Sequence, residues 1–472
     1  MKVQRMRYSD ALRELPPEWP NSCIPEIQKA VRDSGSKVVV LDDDPTGTQT
    51  VHGVPVLTEW STTALRKELA DSLPAFYILT NSRSLHEKDA ENLAGEIGRN
   101  LLEASRESGR KAAVISRSDS TLRGHFPAEV TALARALQES FDAWLLIPFF
   151  QDGGRFTFKD VHYLREGDWL TPVNETESAR DGVFGYQHAN LRHWVEEKTR
   201  GEVCAENVQS VSVEEIRTGG PQQVARRLKA LTRAGICVIN AMSMRDLEVF
   251  TLGLLHAEAE GRQFLYRTAA SFVPLRAGLK PSPLLETEEL DVNGMTGGLI
   301  VAGSYVPRTT AQLDNLLAQP GLECVELDAE ALSRADRSSA EVERASTRAN
   351  CLVRSGTDVV IYTSRRLISG HDMQNSLAIG QSISDGIVSI VRSLSVRPRY
   401  LLAKGGITSS DVAAKALGVK RALVLGQILS GVPVWRLGPE SRYPGLDYIV
   451  FPGNVGDPEA LSLIVNRLKS KV

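Results

Sequence analysis

The stretch Lys37-Val38-Val39-Val40-Leu41-Asp42-Asp43-Asp44-Pro45-Thr46-Gly47 decides how this chain is read. Val38–Leu41 is continuously apolar and mostly β-branched. A strand with one wet face alternates apolar and polar residues, so an unbroken run fits a strand buried on both faces of a parallel sheet. The run then gives way to three carboxylates, a proline and a glycine, the chemistry of a turn. In open α/β sheets ligands bind beyond the carboxyl ends of the strands, so this turn is the first place to look for function.

The same pattern recurs along the chain. Apolar runs at Lys37–Leu41, Phe76–Leu79, Ala112–Ile115 and Trp144–Ile147 are followed by Leu299–Ala302, Val359–Tyr362, Tyr400–Ala403, Ala422–Leu425 and Tyr448–Phe451. Helical patterns lie between them, at Asp89–Arg106, Ala128–Leu137, Thr310–Leu317 and Ser376–Leu394. Alternation of this kind predicts an α/β protein, here of two domains, each a mainly parallel sheet flanked by helices, with a cleft between them. Residues 1–35 read as an N-terminal extension and 36–277 as the first domain. The Pro- and Gly-containing stretch 278–298 reads as a linker, and 299–472 as the second domain. Asp152–Arg200 reads as a loop-rich insertion near the site.

Composition excludes several classes. The 472 residues carry 55 basic and 58 acidic side chains, a net charge of -3, which offers no global field toward nucleic acid or anionic lipid. No run of about 18 apolar residues predicts a membrane span, and the N-terminus lacks a signal-peptide core, so a cytoplasmic protein is expected. The five cysteines, Cys23, Cys204, Cys237, Cys324 and Cys351, form no CxxC pair and read as buried small hydrophobes. Walker, Rossmann, HExxH and GxSxG motifs are absent.

Two kinds of loop follow the strands. In the first half they are charged: Asp42-Asp43-Asp44, then Thr80-Asn81-Ser82-Arg83-Ser84, then Ser116-Arg117-Ser118-Asp119-Ser120-Thr121-Leu122-Arg123-Gly124-His125. Guanidinium forks match a carboxylate or phosphate bidentately, and a carboxylate can orient a hydroxyl. Together they suit a small hydroxylated anion. His125 and His162, nearby, read as structural. In the second half the loops are glycine-rich: Ala302-Gly303-Ser304, Lys404-Gly405-Gly406-Ile407-Thr408 and Pro452-Gly453-Asn454-Val455-Gly456. Glycines let backbone N–H groups approach phosphates closely, which favours a nucleotide.

These residues resemble the four-carbon acid sugar kinase family over essentially the whole chain. The Asp-Asp-x-Thr-Gly element stands at Asp43, Asp44, Thr46 and Gly47, and the uninterrupted Asp-Ser-Thr-Leu-Arg-Gly at Asp119–Gly124. Thr80, Ser82 and Arg83 match Thr-x-Ser-Arg, and Gly154, Arg155 and Thr157 match Gly-Arg-x-Thr. Gly303-Ser304, Lys404-Gly405-Gly406-x-Thr408 and Pro452–Gly456 match the C-terminal elements. The resemblance implies a sugar-acid-binding first domain, an ATP-binding second domain, and phosphorylation of a terminal hydroxyl on a tetronate or 3-oxo-tetronate. It implies ATP contacts from Ser304, Gly405, Gly406, Ile407, Thr408 and Gly453, to which the loop reading adds Lys404 and Asn454.

Asp44 or Asp119 is expected to orient or deprotonate the hydroxyl. Asp43, Asn81, Arg83, Ser120, Arg123 and Arg155 are expected to bind the substrate, with Arg83 and Arg123 clamping its carboxylate. Mg2+ would accompany the ATP phosphates, closure about the linker would exclude water, and a homo-oligomer is compatible with the sequence. The chain departs from the family at Thr48-Gln49-Thr50, where many members carry a small residue and then, after one position, an Asp. A lyase or aldolase acting on a sugar acid, or a non-enzymatic effector, are the alternative readings.

Overall fold

The computed structural model describes residues 4–232, 235–303, 306–365, 373–453 and 455–469. The chain divides into two units, Met1–Val54 with Glu59–Pro281, and Pro55–Thr58 with Ser282–Val472.

In the first unit the apolar run ahead of the three carboxylates forms the strand Lys37–Asp42, buried at every residue. Ala75–Leu79 pairs on one side of it. On the other side stand Ala112–Arg117, Phe264–Thr268, Ala143–Ile147, Gly235–Ile239 and Gln209–Val211, in that order and all parallel. Successive strands of this sheet therefore leave Lys37–Asp42 in opposite directions. That reversal leaves a crevice beyond the carboxyl ends of Lys37–Asp42 and Ala112–Arg117, where Asp42 and Arg117 stand in register. Small residues let the covering helices approach: a Cβ on Gly98 would meet Ala136 Cβ at 2.6 Å, and one on Gly253 would meet Val224 Cβ at 2.6 Å.

Three strands in 200–277 escaped the sequence reading: Gln209–Val211, Gly235–Ile239 and Phe264–Thr268. The first is three residues long and the last carries an arginine, so neither shows a clean apolar run. Asp152–Arg200 is more regular than expected. It contributes Arg155–Phe158, Val161–Glu166 and Trp169–Pro172 to an antiparallel sheet completed by Met6–Arg7. Residues 4–35 are thus built into the first unit: the Arg165 guanidinium lies 3.9 Å over the Tyr8 ring, and Ile27 and Val31 are buried.

The second unit repeats the plan. Leu299–Ala302 lies between Leu401–Lys404 and Asp358–Thr363, with Leu322–Leu327 beyond the latter, all parallel. Asp447–Phe451 adds in parallel beside Leu401–Lys404, and Val432–Leu437 and Arg421–Leu429 extend the sheet antiparallel. The strand order reverses between Leu299–Ala302 and Leu401–Lys404. The first-half segment Pro55–Thr58 counts with this unit, and Thr58 N–H donates to Lys420 O at 3.1 Å. Within the stretch read as a linker, Leu285, Leu290 and Val292 are buried in this unit's core, because their apolar side chains gain more by packing than by solvation.

Cys23 and Cys237 are buried as expected, but Cys204, Cys324 and Cys351 are exposed. Cys324 faces out of the edge strand Leu322–Leu327 and Cys351 lies on the outer side of the helix Ala335–Arg354, positions that burial does not claim. Among the described residues no helix is long and apolar enough to cross a membrane.

Candidate functional site

The triple carboxylate is resolved into three different roles by what each group meets. Asp42 is buried on the strand, beside Arg117 Nη1 at 3.1 Å. Burial pushes its carboxyl up to about 7 against the pull of Arg117. Gly47 lies directly over it: a Cβ there would stand 1.8 Å from Asp42 Oδ2. Asp43 receives Arg83 Nη2 at 2.6 Å and the Ser118 hydroxyl. Asp44 caps the short 3-10 helix Pro45–Thr50, accepting from Thr46 N–H at 2.8 Å and Thr46 Oγ1 at 2.5 Å, with Arg83 Nη1 at 3.2 Å from its other oxygen. Burial would raise its proton affinity, but Arg83 and the Thr46 hydrogen bonds outweigh it and hold the carboxyl below its ordinary range.

Arg83 can bridge Asp43 and Asp44 because Asn81, with φ 50, turns the chain back at the end of Ala75–Leu79. Asp119, on the loop after Ala112–Arg117, accepts from Arg123 Nε at 2.8 Å and from the Thr121 hydroxyl. Burial opposes ionisation there too, yet Arg123 and Arg83 hold this carboxyl far below the usual range. The first unit therefore gathers Asp43, Asp44, Arg83, Asp119 and Arg123 at the reversal in its sheet.

The antiparallel sheet holds that loop in place. His162 is buried, its Nε2 2.8 Å from Ser120 O and its Nδ1 2.9 Å from Thr157 Oγ1. Burial lowers its proton affinity to about 4, so it is neutral at pH 7. The side chain of Ser120 is itself buried, and its carbonyl carries this contact. His125 is likewise buried, 3.2 Å and 3.1 Å from the carbonyls of Ser82 and Leu85. Arg155 starts the edge strand Arg155–Phe158 of this sheet. Arg83, Arg117 and Arg123 are paired with carboxylates. Arg155 forms no such ion pair among the described residues, bonds to the Gly153 carbonyl, and has its proton affinity lowered by burial.

The sequence reading missed Arg267 and Glu129. Arg267 Nη1 donates to Ser116 Oγ at 2.9 Å and lies 3.7 Å from Glu129 Oε2. Glu129 Oε1 accepts from Ser82 Oγ at 2.5 Å, and burial pushes this carboxyl up to about 7. The available signal was a charged residue inside an otherwise apolar stretch, Phe264-Leu265-Tyr266-Arg267-Thr268.

In the second unit the expected loop after Leu401–Lys404 is shorter than read. Gly405, with φ 110, turns directly into a helix, Gly406–Asp411, so Gly406, Ile407 and Thr408 form its first turn. A Cβ on Gly303 would meet Thr408 Oγ1 at 2.5 Å, so the two strand ends close on each other only because Gly303 has no side chain. Ile407 is 58% exposed. Lys404 does not reach outward. It is fully buried, with Nζ 3.8 Å from the Phe451 ring centroid, 2.6 Å from Pro452 O and 3.4 Å from Gly453 O. It braces the Pro452–Gly453 turn, and burial, helped by Arg308, lowers its proton affinity to about 7. Ser304 and Asn454 lie outside the described residues.

Among the described residues no group of three His, Cys, Asp or Glu side chains is arranged to hold a metal ion. Asp43, Asp44 and Asp119 are instead committed to guanidinium partners, so the charged loops do not form a Mg2+ cage.

Comparison with known proteins matches this division. A family model described as a sugar-binding N-terminal domain covers residues 38–275, and one described as a nucleotide-binding C-terminal domain covers 299–461. The 3-oxo-tetronate kinase of Cupriavidus necator is 27% identical over 327 residues, 67% of this chain and 69% of that protein. The D-threonate kinase of Salmonella typhimurium is 27% identical over 337 residues, 68% of this chain and 72% of that protein. Solved structures from Salmonella typhimurium and Haemophilus influenzae share the fold, with TM-scores of 0.65 and 0.61 at 15% and 19% identity, covering 92% and 91% of this chain and 98% and 99% of theirs. With a charged crevice in the half matched as sugar-binding and glycine-lined strand ends in the half matched as nucleotide-binding, the chain belongs to the four-carbon acid sugar kinase family.

Proposed function

We propose that the protein is an ATP-dependent kinase that transfers the γ-phosphoryl group to a terminal hydroxyl of a four-carbon sugar acid such as D-threonate or 3-oxo-tetronate. The observation that carries this reading is the charge arrangement in the first unit: carboxylates paired with arginines, with Arg155 left unpaired by any carboxylate among the described residues. Arg155 would receive the substrate carboxylate, in place of the Arg83–Arg123 clamp expected from sequence, since those two are already neutralised. Asp44 and Asp119 would accept a hydrogen bond from the attacking hydroxyl. Both are weak bases, which suits a loose phosphoryl-transfer transition state, where positioning matters more than early proton removal. The hydroxyl oxygen bonds to the γ-phosphorus as the β–γ bridge bond breaks, and the hydroxyl proton is released to solvent through the carboxylate.

Gly303, Gly405–Thr408 and Gly453 would line the nucleotide phosphates, and the exposed Ile407 would be covered by the bound nucleotide. Mg2+ would arrive as MgATP, held by phosphates and water rather than by a protein cage. ADP release measured over D- and L-threonate, erythronate and their 3-oxo forms tests the proposal. Turnover on one of them is the expected result, and ATP binding without turnover on any would overturn the substrate class.

A further inference from the structure

We infer that Glu129 and Arg267 are positioning residues for the sugar-acid crevice, a second layer that locks the Arg83 turn to the Ser118–Gly124 loop from beneath. The inference rests on the proposed function for its ligand but not for its geometry. Glu129 stands in the first turn of the helix Ala128–Leu137 and reaches back to the Ser82 hydroxyl at 2.5 Å, one residue from Arg83. Its other oxygen faces Arg267 Nη1 at 3.7 Å and makes no hydrogen bond. Arg267 continues the chain of contacts, donating to Ser116 Oγ at 2.9 Å. Its Nη2 lies where a Cβ on Gly124 would be 2.7 Å away, the same distance as Ser118 Oγ and close to Asp43 Oδ2 at 2.9 Å. Gly124, with φ 115, thus closes over Arg267, Ser118 and Asp43 together.

Beside Glu129 lies a cavity of about 10 Å3, the size of one water molecule, lined by Asp43, Thr80, Ser116, Arg117 and Glu129 and by four apolar side chains. Neither Glu129 nor Arg267 is open to a ligand, since both are more than nine-tenths buried. A buried carboxylate facing a buried guanidinium is costly to keep and weak evidence for stability alone. Here the pair joins the turn that carries Arg83 to the loop that carries Asp119. Removing it should free those loops rather than empty the core.

Glu129→Ala removes the contacts to Ser82 and Arg267, whereas Glu129→Gln keeps the shape and an oxygen for the Ser82 hydroxyl but sets an amide N–H against Arg267 in place of the carboxylate oxygen. Each variant is titrated with D-threonate and with ATP by calorimetry, and backbone hydrogen exchange is followed over 42–50 and 80–86. Glu129→Ala is expected to weaken D-threonate about tenfold or more, with Glu129→Gln intermediate and ATP affinity unchanged within about twofold. Exchange over 80–86 should accelerate, and combination with Arg83→Lys should cost less than the product of the two separate effects. A folded Glu129→Ala protein with wild-type D-threonate affinity and wild-type exchange over 80–86 overturns the inference, and so does an equal loss of ATP affinity. If Glu129→Ala fails to fold, Glu129→Gln decides by the same measures. If the wild type binds no D-threonate, the proposed substrate fails, while exchange over 80–86 still decides the positioning role.

Discussion

Nucleotide binding should draw a proton onto Lys404. In the free protein burial lowers this ammonium from its ordinary 10.5 to about 7, and its donors point at Pro452 O and Gly453 O. At pH 7.5 roughly a quarter of the molecules then carry the charge. A polyanion on the Gly405–Thr408 and Gly453 segments would favour the charged form and return the group toward full protonation. Binding at pH 7.5 should therefore take up about three quarters of a proton, falling to about one half at pH 7.0. Calorimetric titration with ATP in two buffers of different ionisation enthalpy measures this directly, because the slope of heat against ionisation enthalpy is the proton count. Lys404→Met fills similar volume without charge and should abolish the slope. The same shift sets a stability trend without nucleotide. Between about pH 7 and 10.5 the unfolded chain holds the proton that the folded chain has lost, so stability rises with pH across that window, by at most about 4–5 kcal/mol, and Lys404→Met should flatten the rise. A wild-type uptake below about 0.2 proton at pH 7.5, or the same slope in Lys404→Met, refutes the reasoning.

Other outcomes follow from the charged crevice. Asp44→Asn and Asp119→Asn should each lower kcat with D-threonate by a factor on the order of 10²–10⁴, and near-normal turnover in both would remove them from the hydroxyl-orienting role. Arg155→Lys, which keeps the charge but loses the planar fork, should raise KM for the sugar acid about tenfold with KM for ATP unchanged; an effect on ATP instead would count against its assignment. Gly47→Ala forces a methyl to 1.8 Å from the buried Asp42 carboxyl and should destabilise by about 1–3 kcal/mol, at about 2–4 °C of Tm per kcal/mol. An unshifted melting curve would mean that Asp42 yields at no cost.

Much of the candidate site was legible as a cluster of charged turns because it is written locally. Asp43, Asp44, Arg83, Asp119 and Arg123 sit in turns that follow buried strands, and turn chemistry is a matter of a few adjacent residues. A lysine beside two glycines, as at Lys404, reads as a phosphate ligand. Whether it points outward or back under the next strand depends on Phe451 and Pro452, nearly fifty residues later. Arg267 and Glu129 were invisible for the same reason: Arg267 meets Ser116 only because Phe264–Thr268 pairs with Ala112–Arg117 across 151 residues of sequence.

The sequence by itself determined the strand–helix alternation, the two kinds of loop and the family, since burial on both faces and turn composition are local properties that pairing partners do not alter. Only the tertiary structure decided which strands stand side by side, and with them which charges neutralise one another. Pairing of Lys37–Asp42 with Ala112–Arg117 sets Asp42 against Arg117 and lets Ser118 reach Asp43, while the Asn81 turn turns Arg83 onto Asp43 and Asp44. Among the arginines of the crevice, that pairing leaves Arg155 with no carboxylate partner among the described residues. It is set by non-local strand order, which no short stretch of residues encodes.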